Sequence, residues 1–324
     1  YDNLPQEHKT LLSNNSSNNS SNTPTTVAHS TKTDASPTLN PNLPTDYAVK
    51  FNALLQQYAT VFSATLPASP AKVADYSISF ADEQTMQNLR KSGISRRKFN
   101  DRDTMAFKEV FEPLIGSVWL YDSTATFASP VYVVHTANKP PRPVGDLRHV
   151  NKHIHYQERL FPDCRTQLRQ IAGKRIYTVF DFLKGYYQIP LRKEDQWVFA
   201  LYTPLGILKP TRLIMGDPNA PGYFHNLIGD LFADIPGFYH YIDDVTIASD
   251  TIDEHYTSVR IFLERCMHFN FVLKPSKAFI AFEEVTALGA LVNFFGFKPH
   301  QELCAKVQAW PFPTSSADMR SFLG

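Results

Sequence analysis

The run FYHYIDDVTIAS, residues 238–249, joins two features that conflict. Its aromatic and β-branched residues have the composition of a strand. Two adjacent acids, Asp243 and Asp244, break it at its centre. Neighbouring side chains on a strand point to opposite faces, so at least one carboxylate faces whatever the apolar residues face. Leaving a buried carboxylate unpaired costs several kcal/mol. An Asp-Asp pair is expected roughly once by chance in a chain of this length, usually in a solvated turn, so the pair alone carries little. The pattern predicts a hairpin with the acids at its turn.

One way to offset such charges is to bind cations. Phosphoryl transfer to a 3′-hydroxyl uses two Mg²⁺ ions about 3.5–4 Å apart. Magnesium takes hard oxygen ligands, usually one or two carboxylates plus water and substrate phosphates. A shared two-ion site therefore needs about three carboxylates at a strand end or turn. The run RIYTVFDF, residues 175–182, predicts a neighbouring strand that ends in a third acid, Asp181.

Strands and helices alternate around this pair. In TDYAVKFNALLQQYATVF, residues 45–62, Phe51, Leu54, Leu55, Tyr58 and Phe62 share one helical face, with Thr45 or Asp46 as the N-cap. SPVYVVHTANKPPRPVGDLR, residues 129–148, reads as two strands joined by a Pro-rich connection. Asn219 and Pro221 occupy N-cap and first-turn positions of a helix carrying Phe224, Leu227, Ile228, Leu231 and Phe232. Residues 254–268 form a further amphipathic helix, and the class is α+β. The segment 89–102 sets six basic residues against one acid and reads equally as a solvated face or a phosphate contact.

The 324 residues are 43% hydrophobic, enough for a packed core, and the net charge is +1, so global charge does not predict nucleic-acid binding. No apolar run approaches about 18 residues and no signal peptide is visible, which argues against a membrane partner. Three dispersed cysteines, Cys164, Cys266 and Cys304, suit reduced thiols in an intracellular compartment. Residues 1–44 are Ser/Asn-rich and read as a disordered linker. The first residue is not Met, which suggests a fragment or a cleaved polyprotein.

From about Phe127 to the last residue, and more weakly back to Phe51, the chain resembles the reverse transcriptases of gypsy-type long-terminal-repeat retrotransposons. The landmarks appear in order: FASPVYVV, GDLRHVNK, FDFLKGYYQI, MGDPNAPGYFHNLI, YIDD, LKPSK, LGALV and WPFPTSSADMRSFLG. The resemblance implies a right-hand polymerase, with a helix and connector at 45–80 and fingers with part of the palm at 81–175. The palm, with an inserted fingers segment, would span 176–294, and the start of a truncated thumb 295–324.

By the same resemblance, Asp181, Asp243 and Asp244 would be catalytic and would hold two Mg²⁺ ions, or Mn²⁺, with the backbone carbonyl of Phe182. Tyr186 matches the aromatic gate against a ribose 2′-hydroxyl. The amides of Lys184 and Gly185, with Lys139, Arg142, Met215 and Gly216, would contact the incoming nucleotide. Lys277 matches a lysine that protonates pyrophosphate, or is a surface lysine. Leu288 and Gly289 fit the hairpin that supports the primer end.

Three departures stand out. The fingertip lysines are reduced to Lys139, Met215 stands where the family has Phe or Gln, and the chain stops inside a thumb helix. No protease signature and no resemblance to ribonuclease H or integrase is present. The implied activity is template-directed DNA synthesis from deoxynucleoside triphosphates on an RNA or DNA template-primer, weak and distributive for want of a thumb. The implied setting is a cytoplasmic retroelement particle, with the nucleus as alternative. Two other readings stay open: another palm polymerase, such as an RNA-dependent RNA polymerase, and a non-catalytic nucleic-acid-binding remnant of a decayed element.

Overall fold

Residues 238–249 form a hairpin in the computed structural model, which describes residues 36–136, 140–159 and 161–323. The strands are β1 (Thr38–Leu39), β2 (Trp119–Tyr121), β3 (Ser129–Val134), β4 (Arg142–Gly145), β5 (Ile176–Asp181), β6 (Leu201–Thr203) and β7 (Gly206–Pro210). They continue with β8 (Phe238–Tyr241), β9 (Asp244–Ser249), β10 (Phe279–Phe282), β11 (Glu284–Ala287), β12 (Ala290–Asn293) and β13 (Gly296–Pro299). The helices are α1 (Thr45–Gln57), α2 (Glu83–Lys91), α3 (Asp101–Phe111), α4 (Arg148–Asn151) and α5 (Cys164–Ile171). After these come α6 (Ala220–Phe232), α7 (Ile252–His268), α8 (Gln301–Gln308) and α9 (Ser316–Leu323). Among the described residues no helix is long and apolar enough to cross a membrane.

The strands make three sheets, in the orders β1-β10-β5-β9-β8, β2-β7-β6-β3-β4 and β11-β12-β13. In the first sheet the two-residue period of the pleat sorts the side chains. Phe180 of β5 and Val245 and Ile247 of β9 pack with Phe232 of α6 and Phe262 of α7 in the main core. Tyr177 of β5 and Ala248 of β9 face the other way, onto Leu168 and Ile171 of α5 and Val285 and Val292 of the third sheet. Asp181 and Asp244 pair directly across β5 and β9. They continue the second parity, so both leave the sheet on the face that α6 and α7 do not cover.

That arrangement corrects the expectation of a carboxylate buried with the apolar residues of the run. Asp243 sits in the turn and Asp244 opens β9, both exposed, while Asp181 is the buried acid. The predicted linker is also too long. Residues 1–35 lie outside the described residues, but β1 pairs in parallel with β10, and the Asn40 side-chain amide donates to the Ala281 carbonyl at 2.9 Å. Backbone bonds hold this strand (Thr38 N–H to Ala278 at 2.8 Å, Asn40 N–H to Ile280 at 3.0 Å), so its polar composition gave no sign of it.

One helix start differs from expectation, and another holds in position but not in its bonding. Pro44, not Thr45 or Asp46, is the N-cap of α1, and no side chain caps it. Asn219 is the N-cap residue of α6 but does not cap with its side chain. Its amide instead donates to His155 O at 3.0 Å and accepts from Gln157 N–H at 2.9 Å, tying a separate loop to the helix start.

Gly237 turns the chain into β8 at φ +70°, and a Cβ there would lie 2.0 Å from the carbonyl oxygen of Ala248. The same carbonyl region is fixed, because Ala248 N–H donates to Gly237 O at 2.9 Å. Gly237→Ala is expected to destabilise the protein by about 3 kcal/mol, from overpacking and left-handed strain together. An unchanged urea midpoint would show that the β8 entry yields freely.

Behind the sheet, buried His255 bridges Thr178 Oγ1 (2.7 Å) and Ser249 Oγ (3.1 Å). Burial depresses its pKa from 6.5 to about 3. Between those values the unfolded chain binds a proton that the folded chain refuses, so stability falls as the pH falls. The loss from His255 alone between pH 7 and pH 5 is about 2 kcal/mol. His255→Gln should flatten that slope in denaturation curves; an equal slope in both proteins would rule His255 out as its source.

Candidate active site

The turn between β8 and β9 holds two residues, Ile242 and Asp243, because Tyr241 pairs with Asp244. Ile242 has φ +57°, a position where a two-residue hairpin usually places glycine. A β-branched residue there stores strain of about 1–3 kcal/mol. The turn is tied to the end of β5 by the Phe182 N–H, which donates to Asp243 O at 3.3 Å. Three carboxylates thus gather at one end of two paired strands. Like charges directly opposite each other on neighbouring strands are destabilising, and Asp181 and Asp244 are so placed.

The charges bear this out. Asp243 and Asp244 are open to water, yet crowding by protein raises the proton affinity of both. Asp181 adds to the rise at Asp243, and Asp243 and then Asp181 add to it at Asp244. The Lys277 ammonium donates to Asp181 Oδ2, and that bond, with the Asp244 and Asp243 charges behind it, raises the lysine pKa. Lys277 thus supplies one positive charge against three negative ones.

Among the described residues no three metal-binding side chains converge tightly enough to hold one ion alone. A shared two-ion site does not require that, since water and substrate phosphates complete each magnesium shell. The donors are hard carboxylate oxygens with unmatched negative charge, and this set fits Mg²⁺ or Mn²⁺.

Asp181, Asp244, Lys277, Leu288 and Gly289 line one cleft between the first and third sheets. Leu288 (φ +49°) and Gly289 (φ +75°) are the two turn residues joining β11 to β12, both left-handed, as a two-residue turn of this kind requires. The FDFLKGYYQI segment enters the cleft with Phe180 and Asp181 and then runs on from the end of β5. Lys184 is left-handed (φ +47°), with its amine pKa lowered by burial, and its carbonyl accepts from Tyr187 N–H. A Cβ on Gly185 would lie 2.8 Å from the Phe224 ring, so glycine lets this turn settle on α6.

Half-buried Tyr186 stands edge-on to the same ring, 5.7 Å between centroids, and burial with the Asp243 charge pushes its hydroxyl up to about 12. Gln188 fixes the far end of the segment. Its amide donates to Leu183 and Val272 carbonyls at 2.9 Å and accepts from Val272 N–H at 2.7 Å.

Gly216 (φ +104°) accepts from the Asn151 amide at 2.9 Å, and a Cβ there would lie 3.0 Å from Leu147. Met215 beside it is 63% exposed and free to meet a ligand. Arg142 lies exposed on β4 opposite Val134, in the second sheet, and is not one of the residues lining the carboxylate cleft. Asp146 is engaged by Arg148 through two bonds of 2.8 and 2.6 Å. Lys139 lies outside the described residues.

Supports that the sequence did not reveal hold the loops around Gly216 and Tyr187. Tyr76 donates to buried Asp217 at 2.6 Å, and Asp217 accepts from Asn219 N–H at 2.9 Å, pinning the loop after Gly216. Arg212, fully buried, donates to the carbonyls of Tyr187, Pro67 and Ala68. A run such as MGDPN carries no signal that its Asp is buried, since the partner lies 141 residues away.

Residues 139–292 match the family model described as reverse transcriptase (RNA-dependent DNA polymerase). This stretch is a reverse transcriptase domain.

Around this reverse transcriptase domain the likeness extends further. The chain is 27% identical over 209 residues to the retrovirus-related Pol polyprotein from transposon opus of Drosophila melanogaster, covering 62% of this chain and 21% of that protein. It is 28% identical over 205 residues to the transposon Tf2-3 polyprotein of Schizosaccharomyces pombe, covering 63% and 15%. The chain therefore spans about a fifth or less of these relatives.

In structure the chain resembles the foamy viral protease-reverse transcriptase in complex with dsDNA, with TM-score 0.77 and 22% identity over 87% of this chain and 58% of that one. The same foamy viral protein in complex with an RNA/DNA hybrid gives TM-score 0.76 and 22% identity over 87% and 38%. The reverse transcriptase domain thus lies within a right-hand polymerase fold of α+β class.

Proposed function

We propose that this chain is the RNA-directed DNA polymerase unit of a gypsy-type retrotransposon polyprotein, adding deoxynucleotides to a primer on an RNA or DNA template. The observation that carries this reading is the direct opposition of Asp181 and Asp244 on paired strands, with Asp243 in the adjoining turn. A fold places three like charges together only where something of opposite charge offsets them. Asp181, Asp243, Asp244 and the Phe182 carbonyl would hold two Mg²⁺ ions, with Mn²⁺ as substitute. When bound, the pair supplies activation of the primer 3′-hydroxyl and neutralisation of the leaving phosphates.

The protein groups act around that centre. The Tyr186 ring excludes a 2′-hydroxyl by occupying its place. Lys184 and Gly185 offer backbone N–H groups to the triphosphate, with Lys139, Arg142, Met215 and Gly216 completing the nucleotide contacts. The raised pKa of Lys277 keeps a proton on Nζ beside the carboxylates, available to a departing pyrophosphate. The Leu288–Gly289 turn supports the primer end. Fingers at 81–175, palm at 176–294 and the start of a thumb from 295 are the corresponding division. The free cysteines suit an intracellular setting, such as a cytoplasmic particle or the nucleus.

Extension of a labelled DNA primer on an RNA template by the purified chain, with Mg²⁺ and deoxynucleotides, tests the reading. Template-dependent products that vanish with EDTA are expected. Binding without extension would favour a non-catalytic role.

A further inference from the structure

The strained turn that carries Asp243 is held from below by a residue to which the sequence assigned no role. At φ +57°, Ile242 turns its backbone N–H inward, where it donates to His225 Nδ1 at 3.3 Å. His225 projects from α6 and is only 7% exposed. Because Nδ1 accepts, its proton must sit on Nε2, and burial, which lowers the ring's pKa, favours this neutral form.

The ring cannot easily turn away. It stacks on His240 at 4.3 Å between centroids and meets Phe161 at 5.5 Å. His240 in turn bonds through Nε2 to the backbone oxygen of His225 at 2.9 Å, so α6 and β8 are clamped together beneath the turn.

We propose that His225 is a positioning residue for DNA synthesis, its Nδ1 fixing the Ile242 amide and thereby the place of Asp243. This rests on the polymerase reading above, but the bond itself can be tested without activity. A part-buried N–H left without its acceptor is costly, so a turn deprived of it would relax toward solvent and carry Asp243 with it. His225 touches neither substrate nor ion in this role. It acts on the rate of the chemical step rather than on nucleotide affinity.

Two variants separate positioning from packing. His225→Phe keeps a ring for His240 and Phe161 but has no acceptor. His225→Asn loses the ring but offers Oδ1 close to where Nδ1 lay. Amide hydrogen exchange across residues 238–249 and single-turnover nucleotide addition are the two readouts.

Positioning predicts that His225→Phe exchanges the Ile242 amide at least tenfold faster and lowers the maximal rate about tenfold, with the KM for deoxynucleotide unchanged. His225→Asn should stay within about threefold of the parent in both. The reverse order, with Phe near the parent and Asn impaired, would overturn the proposal in favour of packing. If His225→Phe fails to fold, His225→Asn decides alone: parental exchange and rate sustain the proposal, and loss of both overturns it. Exchange altered as expected in a chain that synthesises no DNA would uphold the bond while refuting the polymerase reading.

Discussion

Asp243→Asn is expected to slow Mg²⁺-dependent primer extension by at least about a thousandfold, on the order of 4 kcal/mol of barrier. Removing one oxygen ligand from a shared two-ion site disturbs both ions. The same substitution should not unfold the protein. Asp243 is exposed in a two-residue turn, and its tie to β5 runs through its backbone carbonyl, which asparagine keeps. Its charge raises the proton affinity of Asp244, so losing it relieves repulsion, and the urea midpoint should hold or rise slightly. Extension near the parental rate by a folded variant would sink the catalytic assignment. Asp244→Asn should be milder if that carboxylate serves mainly one ion.

Tyr186→Val should raise the use of ribonucleotides relative to deoxyribonucleotides by roughly a hundredfold. The gate works by clash, and a clash is removed by shortening the side chain. The geometry suits such a role, because Phe224 holds the ring edge-on while the side chain is only partly buried. Valine leaves a gap beside Phe224, so a modest stability loss of about 1–2 kcal/mol accompanies the change. Steady-state incorporation of matched ribo- and deoxyribonucleotides by parent and variant measures the effect. An equal fall for both sugars would make Tyr186 a packing residue.

The two strands that carry the acids were legible because their two-residue periodicity survives without context, and the acid at the end of β5 punctuates it. The start of α6 was legible in position, from Asn219 and Pro221, but the work of Asn219 was not, since its partners, His155 and Gln157, come from a remote loop. β1 was hidden because a strand held through its backbone leaves no apolar signature. Burial misled at Asp243 and Asp244. A turn lets acids interrupt an apolar run without entering the core, and the real cost lies in the opposition of Asp181 and Asp244. Arg212, Asp217 and His225 were illegible for one reason: a lone polar residue acquires its role from distant partners, backbone groups for Arg212 and His225 and the Tyr76 hydroxyl for Asp217, that only the folded chain brings near.

The most direct test of the two-ion centre is the single-turnover rate of adding one deoxynucleotide to a primer on an RNA template as free Mg²⁺ is varied. The account predicts no addition in EDTA and a rate that climbs with about the second power of Mg²⁺ before it saturates. Addition that is indifferent to Mg²⁺, or no addition by a folded chain that still binds primer-template, would contradict it.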